Sequence, residues 1–303
     1  MSANSELGTT QSTVTQHHWR PRISSRNRAS KGFSLVFMGA TLSAVLLLVL
    51  LFGVLLVRGW DWLTLDLILN QYSRHPEESG FQAAIFGSIW LVAGAGVMSF
   101  VMGVGTAIFL EEYAPRGGVT DFLQTNISNL SGVPSVVYGL LGLALFVEML
   151  SLGRVLLAGA LTMGLLILPI VIIASQEAIR NVPLGLRQAA YSVGATRWQV
   201  VWHHVLPAAI PGILTGTILA VSRAIGETAP LIVVGASAVV FTNPSGFFDH
   251  YTAMPMQIYQ WTKQPQSEFK DLAAAAIIVL MVVLLTMNGI AIYLRQKLGK
   301  DRW

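Results

Sequence analysis

The chain has 303 residues, of which 53% are hydrophobic and only 11% charged, with a net charge of +4 and a mean hydropathy of +0.62. Soluble domains carry about 25% charged residues, so this balance points to the bilayer and not to a water-exposed fold; the six apolar segments below make the expected class an all-α polytopic membrane protein. There is no cysteine, which excludes disulfides, thiolate nucleophiles, iron–sulfur clusters and cysteine zinc sites.

Residues 1–32 are rich in serine and arginine and read as a disordered, basic cytoplasmic tail. Crossing the hydrocarbon core takes about 20 mostly apolar residues. Six segments have that character: 33–57, 81–110, 127–150, 155–175, 208–236 and 272–294. The first is too long for a signal peptide, and no small-x-small cleavage site follows in GVLLVRGW, so it reads as a retained anchor. The other five form a core over residues 81–296. The third opens with Asn126, Ser128, Asn129, Ser131 and Ser135. These are poor lipid-facing side chains, so part of that span faces a cavity or another helix.

Basic residues set the orientation. With the N-terminus inside, cytoplasmic segments hold 13 Lys/Arg and external ones five, leaving Arg223 inside a span. Both termini are therefore expected in the cytoplasm. The basic excess is explained without nucleic acid, which is not an expected partner.

Several chemistries lack their residues. No GxxxxGK[ST] loop occurs, so ATP hydrolysis by this chain is not expected. GAGVMSFVMGVG (residues 94–105) and GILTG (residues 212–216) read as close helix packing. The adjacent His203 and His204 point about 100° apart on a helix, which does not suit a shared metal; they fit the headgroup boundary with Trp198 and Trp202. No catalytic set, metal site or resident cofactor is expected.

The segment 177–207 is too polar to span and too apolar for a plain linker. Leu186, Ala189, Ala190 and Val193 recur at helical spacing. Gly194 ends that helix, Thr196 caps a second one through Trp198, Val201 and Trp202, and Pro207 closes the loop. A surface helix–turn–helix results, with small alanines on one face. The pattern alone leaves two options: an interfacial hairpin with no partner, or a docking surface.

The run Gln188-Ala189-Ala190-x3-Gly194-x9-His204-x-Leu206-Pro207 resembles the EAA loop of ABC-importer permeases, with Gln188 in place of the usual glutamate and His204 in place of isoleucine. GVGTAIFLEEYAPRG (residues 103–117), NLSGVPSVVYGLLGLALF (129–146), SRAIGETAPLIVVGA (222–236) and MPMQIYQWTKQP (254–265) are similar to phosphate-specific importer permeases of the PstA type rather than the PstC type. The resemblance implies a type I, MetI-like permease fold in a prokaryotic inner membrane. It implies Gln188, Ala189, Ala190, Gly194, Leu206 and Pro207 as the ATPase-coupling residues. The implied partners are a PstC-like permease in a heterodimer, two ATPase subunits that use ATP-Mg, and a periplasmic phosphate-binding protein.

The external loop 237–271 carries Phe247, Phe248, Tyr251, Tyr259 and Trp261, aromatics that suit a membrane-interface belt or a docking partner. On that reading, loss of residues 254–265 impairs uptake and leaves membrane insertion intact.

The fifth span contains Arg223 and Glu227, placed by the span 208–236 near the bilayer midpoint and four residues apart on one helical face. Two central charges oppose insertion by about 5–7 kcal/mol, and the span's Leu, Ile and Val residues favour it by roughly 3–7, so the pair must face protein or water. It is either a structural salt bridge or a station on a substrate path; arginine can hold phosphate through two parallel hydrogen bonds. Ser222 and Thr228 are assigned with the pair to a substrate pathway. The resemblance favours phosphate; a permease for molybdate or sulfate, and an ATP-independent secondary transporter or channel, remain alternatives.

Overall fold

The computed structural model describes residues 23–236 and 240–299. The tail through residue 22, and residues 237–239 of the external loop, lie outside the described residues. Among the described residues all regular structure is helical.

The chain divides into two units, Met1–Gly53 and Val54–Trp303. Helix α1 (Ile23–Gly59) begins well before residue 33, so residues 23–32 are helical where the sequence suggested a disordered tail. Arg26, Arg28 and Lys31 are good helix formers, and the nearest breaker upstream is Pro21. The apolar side chains of the first unit, including Phe37, Leu42, Leu46 and Leu50, are exposed around the helix. A helix apolar all round belongs in lipid or against other subunits.

In the second unit, α2 (Leu65–Leu69) leads to α3 (Gln82–Ile108), which runs on as a π turn, Phe109–Tyr113. Next come α4 (Gly118–Ser131) and α5 (Ser135–Gly142), the latter continued by a π segment, Leu143–Met149. Then follow α6 (Leu156–Arg180), α7 (Leu184–Ser192) and α8 (Arg197–Val200). The π turn Val201–Val205 leads into α9 (Leu206–Ile225), and α10 (Ala229–Val234), α11 (Met254–Thr262) and α12 (Ser267–Gly299) complete the unit.

Among the described residues, five stretches are long and apolar enough to cross a membrane: Phe33–Trp62, Gln82–Tyr113, Leu156–Arg180, Arg197–Ile225 and Ser267–Lys297. The sixth crossing is the α4–α5 pair, bent by 103°. The expected continuous helix over 127–150 is therefore two helices. Gly132 and Pro134 separate them, because proline cannot supply the N–H that a continuing helix needs. The pair is a broken span and not a re-entrant loop, as its progress along α6 shows. Residues 109–113 lie at the Arg180 end of α6, residues 130–135 lie beside Leu166 and Ile170, and Gly142 packs on Thr162.

Helix α6 is the hub, and small residues seat its neighbours. A β-carbon on Gly103 of α3 would stand 2.8 Å from Val171. One on Gly212 of α9 would stand 2.8 Å from Ala178. Inside a bilayer such contacts hold helices by close packing, because lipid offers no hydrophobic drive to pair them. Glycines of both clusters, Gly94 and Gly103 in the first and Gly212 and Gly216 in the second, thus serve packing.

The fifth span also differs from expectation. Helix α9 ends at Ile225, and Pro230 opens the separate α10. Arg223 therefore sits in the last turn of a helix and Glu227 beyond its end, not on one face of a helix running to residue 236. Gly226 and Pro230 supply the physical reason: a weak helix former followed by a residue with no donor.

The external loop is mostly internal. Tyr251 is 1% exposed and Trp261 0%, Phe247 meets Trp90 edge-to-face at 5.2 Å, and Trp261 lies 5.5 Å from Phe81. Helix α11 is buried along most of its length. Of the five aromatics read as a belt or docking face, Phe248 is the one with a largely exposed side chain, at 72%.

Candidate functional site

Two helix breaks meet at one cavity. Leu130, Ser131, Gly132, Val133, Pro134, Ser135 and Tyr138 of the α4–α5 bend face Leu166 and Ile170 of α6, and Arg223 and Glu227 complete the wall, around about 320 Å³. Ser131 and Ser135 line this space, which accounts for two of the five polar residues noted at the start of the third span; Asn126, Ser128 and Asn129 are exposed and lie outside it. Tyr138 is positioned by a 2.9 Å hydrogen bond from its hydroxyl to the Leu130 carbonyl, which ties α5 back across the bend. Helix termini leave backbone N–H and C=O groups without intrahelical partners, so a broken span brings polar main chain to a cavity wall without exposing it to lipid.

Arg223 Nε lies 3.8 Å from Glu227 Oε1, beyond hydrogen-bond reach. The arginine side chain is 64% exposed and the glutamate 22%. Both belong to one stretch of chain, so their attraction fastens no second helix. Arg223 stands at a helix C-terminus, where the backbone dipole favours a cation.

Ser222 and Thr228 are placed elsewhere. Ser222 is buried and does not line the cavity. Thr228 lines a separate, mainly apolar recess of about 490 Å³ with Ile232, Pro255, Ile258 and Leu280.

At the far end of α6 lies the surface hairpin. Helix α7 ends at Ser192, and Gly194 turns the chain with φ +83°. Thr196 then opens α8 with a reciprocal cap: its backbone N–H donates to Gln199 Oε1 at 2.8 Å, and its hydroxyl accepts from the Gln199 N–H. Ala190 is buried among Val104, Ala107, Ile179 and Val200, and Leu206 packs against the same cluster. Gln188, Ala189 and Gly194 are exposed, and Pro207 is half-buried at the start of α9. The alanine pair thus divides, one anchoring the hairpin and one facing outward. Trp198 and Trp202 stack at 5.5 Å on the exposed side, and His203 Nδ1 contacts the Gln199 carbonyl at 3.2 Å.

Sequence reasoning missed what fastens this hairpin. Glu111 Oε1 pairs with Arg180 Nη2 at 2.7 Å and accepts from Gln176 at 3.0 Å. Glu112 Oε1 lies 3.0 Å from Arg187 Nη2, which also donates to the Ile179 carbonyl at 2.8 Å. The Arg197 guanidinium stands 5.5 Å over the Tyr113 ring. One signal was available: acids at a helix C-terminus oppose its dipole and need nearby cations. Nothing in the sequence says which arginines those are. Among the described residues, no group of three or more His, Cys, Asp or Glu side chains fits a metal.

Membrane-crossing helices, a cavity at two helix breaks and a braced surface hairpin define a membrane transport component. Residues 99–300 match the family described as binding-protein-dependent transport system inner membrane component, and the chain belongs to that family. It is 30% identical to the phosphate transport system permease protein PstA 1 of Mycobacterium tuberculosis (strain CDC 1551 / Oshkosh), over 97% of this chain and 98% of that one. Among solved structures, the bacterial alginate ABC transporter in complex with a pentasaccharide-bound periplasmic protein aligns with a TM-score of 0.62. It shares 18% identity and covers 90% of this chain and 98% of that one. The MetNI methionine ABC transporter aligns with a TM-score of 0.58 and 14% identity, covering 71% and 94%. At those identities the structures establish the fold alone, a MetI-like ABC importer permease.

Proposed function

We propose that this chain is a permease subunit of an ATP-driven phosphate importer, forming half of the translocation pathway in a prokaryotic inner membrane with both termini in the cytoplasm. Family membership supports the transport role, and the PstA relative supports the substrate class. In this reading the chain is not itself catalytic and holds no cofactor. Two ATPase subunits hydrolyse ATP-Mg, a PstC-like permease supplies the other half of the pathway, and a periplasmic binding protein delivers phosphate.

The observation that carries the reading is Arg223. Its side chain is largely exposed beside a cavity whose wall also carries Ser131 and Ser135, and it forms no close pair, which favours a transient anion station over a structural clamp. Phosphate leaving water needs a cation and hydrogen-bond donors, and arginine supplies both in a planar fork. Glu227 offsets that charge between transport events and keeps binding weak enough for release. The cytoplasmic hairpin is the surface on which an ATPase acts, with Gln188, Ala189 and Gly194 facing outward, Ala190 and Leu206 packed beneath them, and Pro207 half-buried at the start of α9. A secondary transporter has no use for it.

The test is reconstitution of the chain with its partner subunits in proteoliposomes, following radiolabelled phosphate. The reading requires uptake that depends on ATP hydrolysis and is not displaced by equal sulfate or molybdate. ATP-independent uptake, or preferential import of another oxyanion, refutes it.

A further inference from the structure

Three consecutive residues at the end of α3 hold three different elements. Glu111 holds the last turn of α6 through Arg180, Glu112 holds α7 through Arg187, and Tyr113 lies under Arg197, the first residue of α8. Here the helix widens to a π turn at Phe109–Tyr113, a local deformation frequently found at functional positions. Arg187 is the crossing point. The same Nη2 that approaches Glu112 also closes the C-terminal carbonyl of Ile179 on α6.

The Glu112 side chain is 8% exposed, and removing a buried charge from water is unfavourable unless a partner offsets it. A fold that needed only a firm hairpin has a cheaper solution in the apolar cluster of Val104, Ala107, Ala190 and Val200 beneath it. The Glu112–Arg187 pair adds something an apolar contact does not: an attraction between two particular residues, one on α7 and one at the end of α3.

We propose that Glu111, Glu112 and Tyr113 form the junction through which movement of the α7–α8 hairpin is transmitted to α3, with Glu112 and Arg187 as its positioning pair. This inference rests on the reading of the hairpin as the surface driven by an ATPase. None of the three residues touches the Arg223 cavity; they act on transport by linking the hairpin to the membrane helices.

The experiment compares phosphate imported per ATP hydrolysed in the reconstituted complete transporter. Glu112→Gln keeps the side chain's shape and removes its charge. The expected result is an assembled complex with ATP hydrolysis within about twofold of the parent and a coupling ratio at least fivefold lower. The reversed pair, Glu112→Arg with Arg187→Glu, should recover at least half of the parent ratio. An assembled Glu112→Gln complex with an unchanged ratio overturns the proposal, and so does a reversed pair that assembles yet stays as uncoupled as the single variant. If Glu112→Gln does not assemble, Arg197→Ala decides, since it removes an exposed side chain from α8: a ratio at least twofold lower supports the junction, and an unchanged ratio overturns it. Failure of the unaltered transporter to couple phosphate uptake to ATP hydrolysis refutes the underlying functional reading instead, and is recognised without any substitution.

Discussion

Gly142 of α5 lies flat against Thr162 of α6, with no room for a β-carbon between them. The Thr162 hydroxyl is itself fixed, donating to the Ala158 carbonyl at 2.7 Å, so it cannot swing aside at no cost. This contact sets how closely the outer half of the broken span approaches the hub. Gly142→Ala should therefore destabilise the protein by about 1–3 kcal/mol, the usual range for overpacking a close contact. Gly105→Ala is the matched control: it lies inside α3 with nothing within 4 Å of its added carbon, and the better helix former should leave stability equal or slightly higher. Thermal unfolding of the two purified variants checks both, and equal melting temperatures would rule the contact out as a constraint.

Gly194 joins α7 to α8 with φ +83° and open space around it. Its requirement is conformational and not steric. An alanine there is opposed by about 1–2 kcal/mol, because the left-handed region brings Cβ against the backbone. Asparagine, which tolerates that region, should lose less than alanine. Melting temperatures in the order Gly, Asn, Ala, with coupling of uptake to ATP following the same order, are the expected outcome; an alanine variant as stable as the parent would contradict it.

The legible part of the fold was what periodicity and length record. Four of the six expected spans correspond to single helices, and the Gly194 turn and Thr196 cap were visible because each depends on neighbours in sequence. The Gly132–Pro134 break also had a local signal, GVP inside an apolar run, but hydropathy windows average over three residues and hide it. The same averaging carried α9 past Ile225. Other features had no local trace. Tyr251 and Trp261 look like belt aromatics until tertiary packing buries them, and Glu112 meets an arginine from a distant part of the chain. At the candidate site, Arg223 and Glu227 stood out as charges in an apolar run. Ser222 was assigned by adjacency alone, and adjacent residues on a helix face different ways.

The segment between α10 and α11 holds a pH-sensitive turn. The Ser245 hydroxyl and backbone N–H each donate to Asp249 Oδ2 at 2.7 Å, and the Gly246 N–H donates at 3.0 Å. These bonds, the Ser245 hydroxyl foremost, hold the Asp249 carboxyl below its ordinary value. A lowered folded-state value means that the turn's stabilisation is fully present above the unfolded aspartate pKa, near 3.9, and is lost as pH falls through the lowered one. The difference in melting temperature between parent and Asp249→Ala should stay constant from pH 7 to about 5 and close below about 4. A gap that persists in strong acid would show that the carboxylate charge is not its source.

Removing residues 254–265 now has a different expected result from that read in the sequence. The segment includes buried Met254, Met256, Ile258 and Trp261, so its deletion should abolish accumulation of folded protein, not uptake alone. Truncating a fully buried tryptophan is typically worth about 3–5 kcal/mol, and Trp261→Ala should already lower the melting temperature strongly. Phe248→Ala separates docking from folding, because the side chain is exposed. Its variant should melt with the parent. If the exposed ring meets a periplasmic partner, the concentration of binding protein giving half-maximal uptake rises, while the maximal rate holds. An unchanged concentration dependence excludes Phe248 from docking.

Arg223 provides the sharpest test of the pathway. Its pairing with Glu227 at 3.8 Å is an exposed contact between groups four residues apart, and such pairs contribute about 0–1 kcal/mol. Arg223→Gln should therefore leave melting temperature and subunit assembly within error of the parent. Transport should fall at least 100-fold, because glutamine removes the cation that offsets phosphate desolvation. Arg223→Lys keeps a point charge without the planar fork and should fall in between. Binding of labelled phosphate to the assembled complex, measured beside uptake, locates the defect. Loss of both with intact assembly places the arginine on the anion's path. Loss of assembly in Arg223→Gln would mean that the residue works as a clamp after all, whatever its exposure.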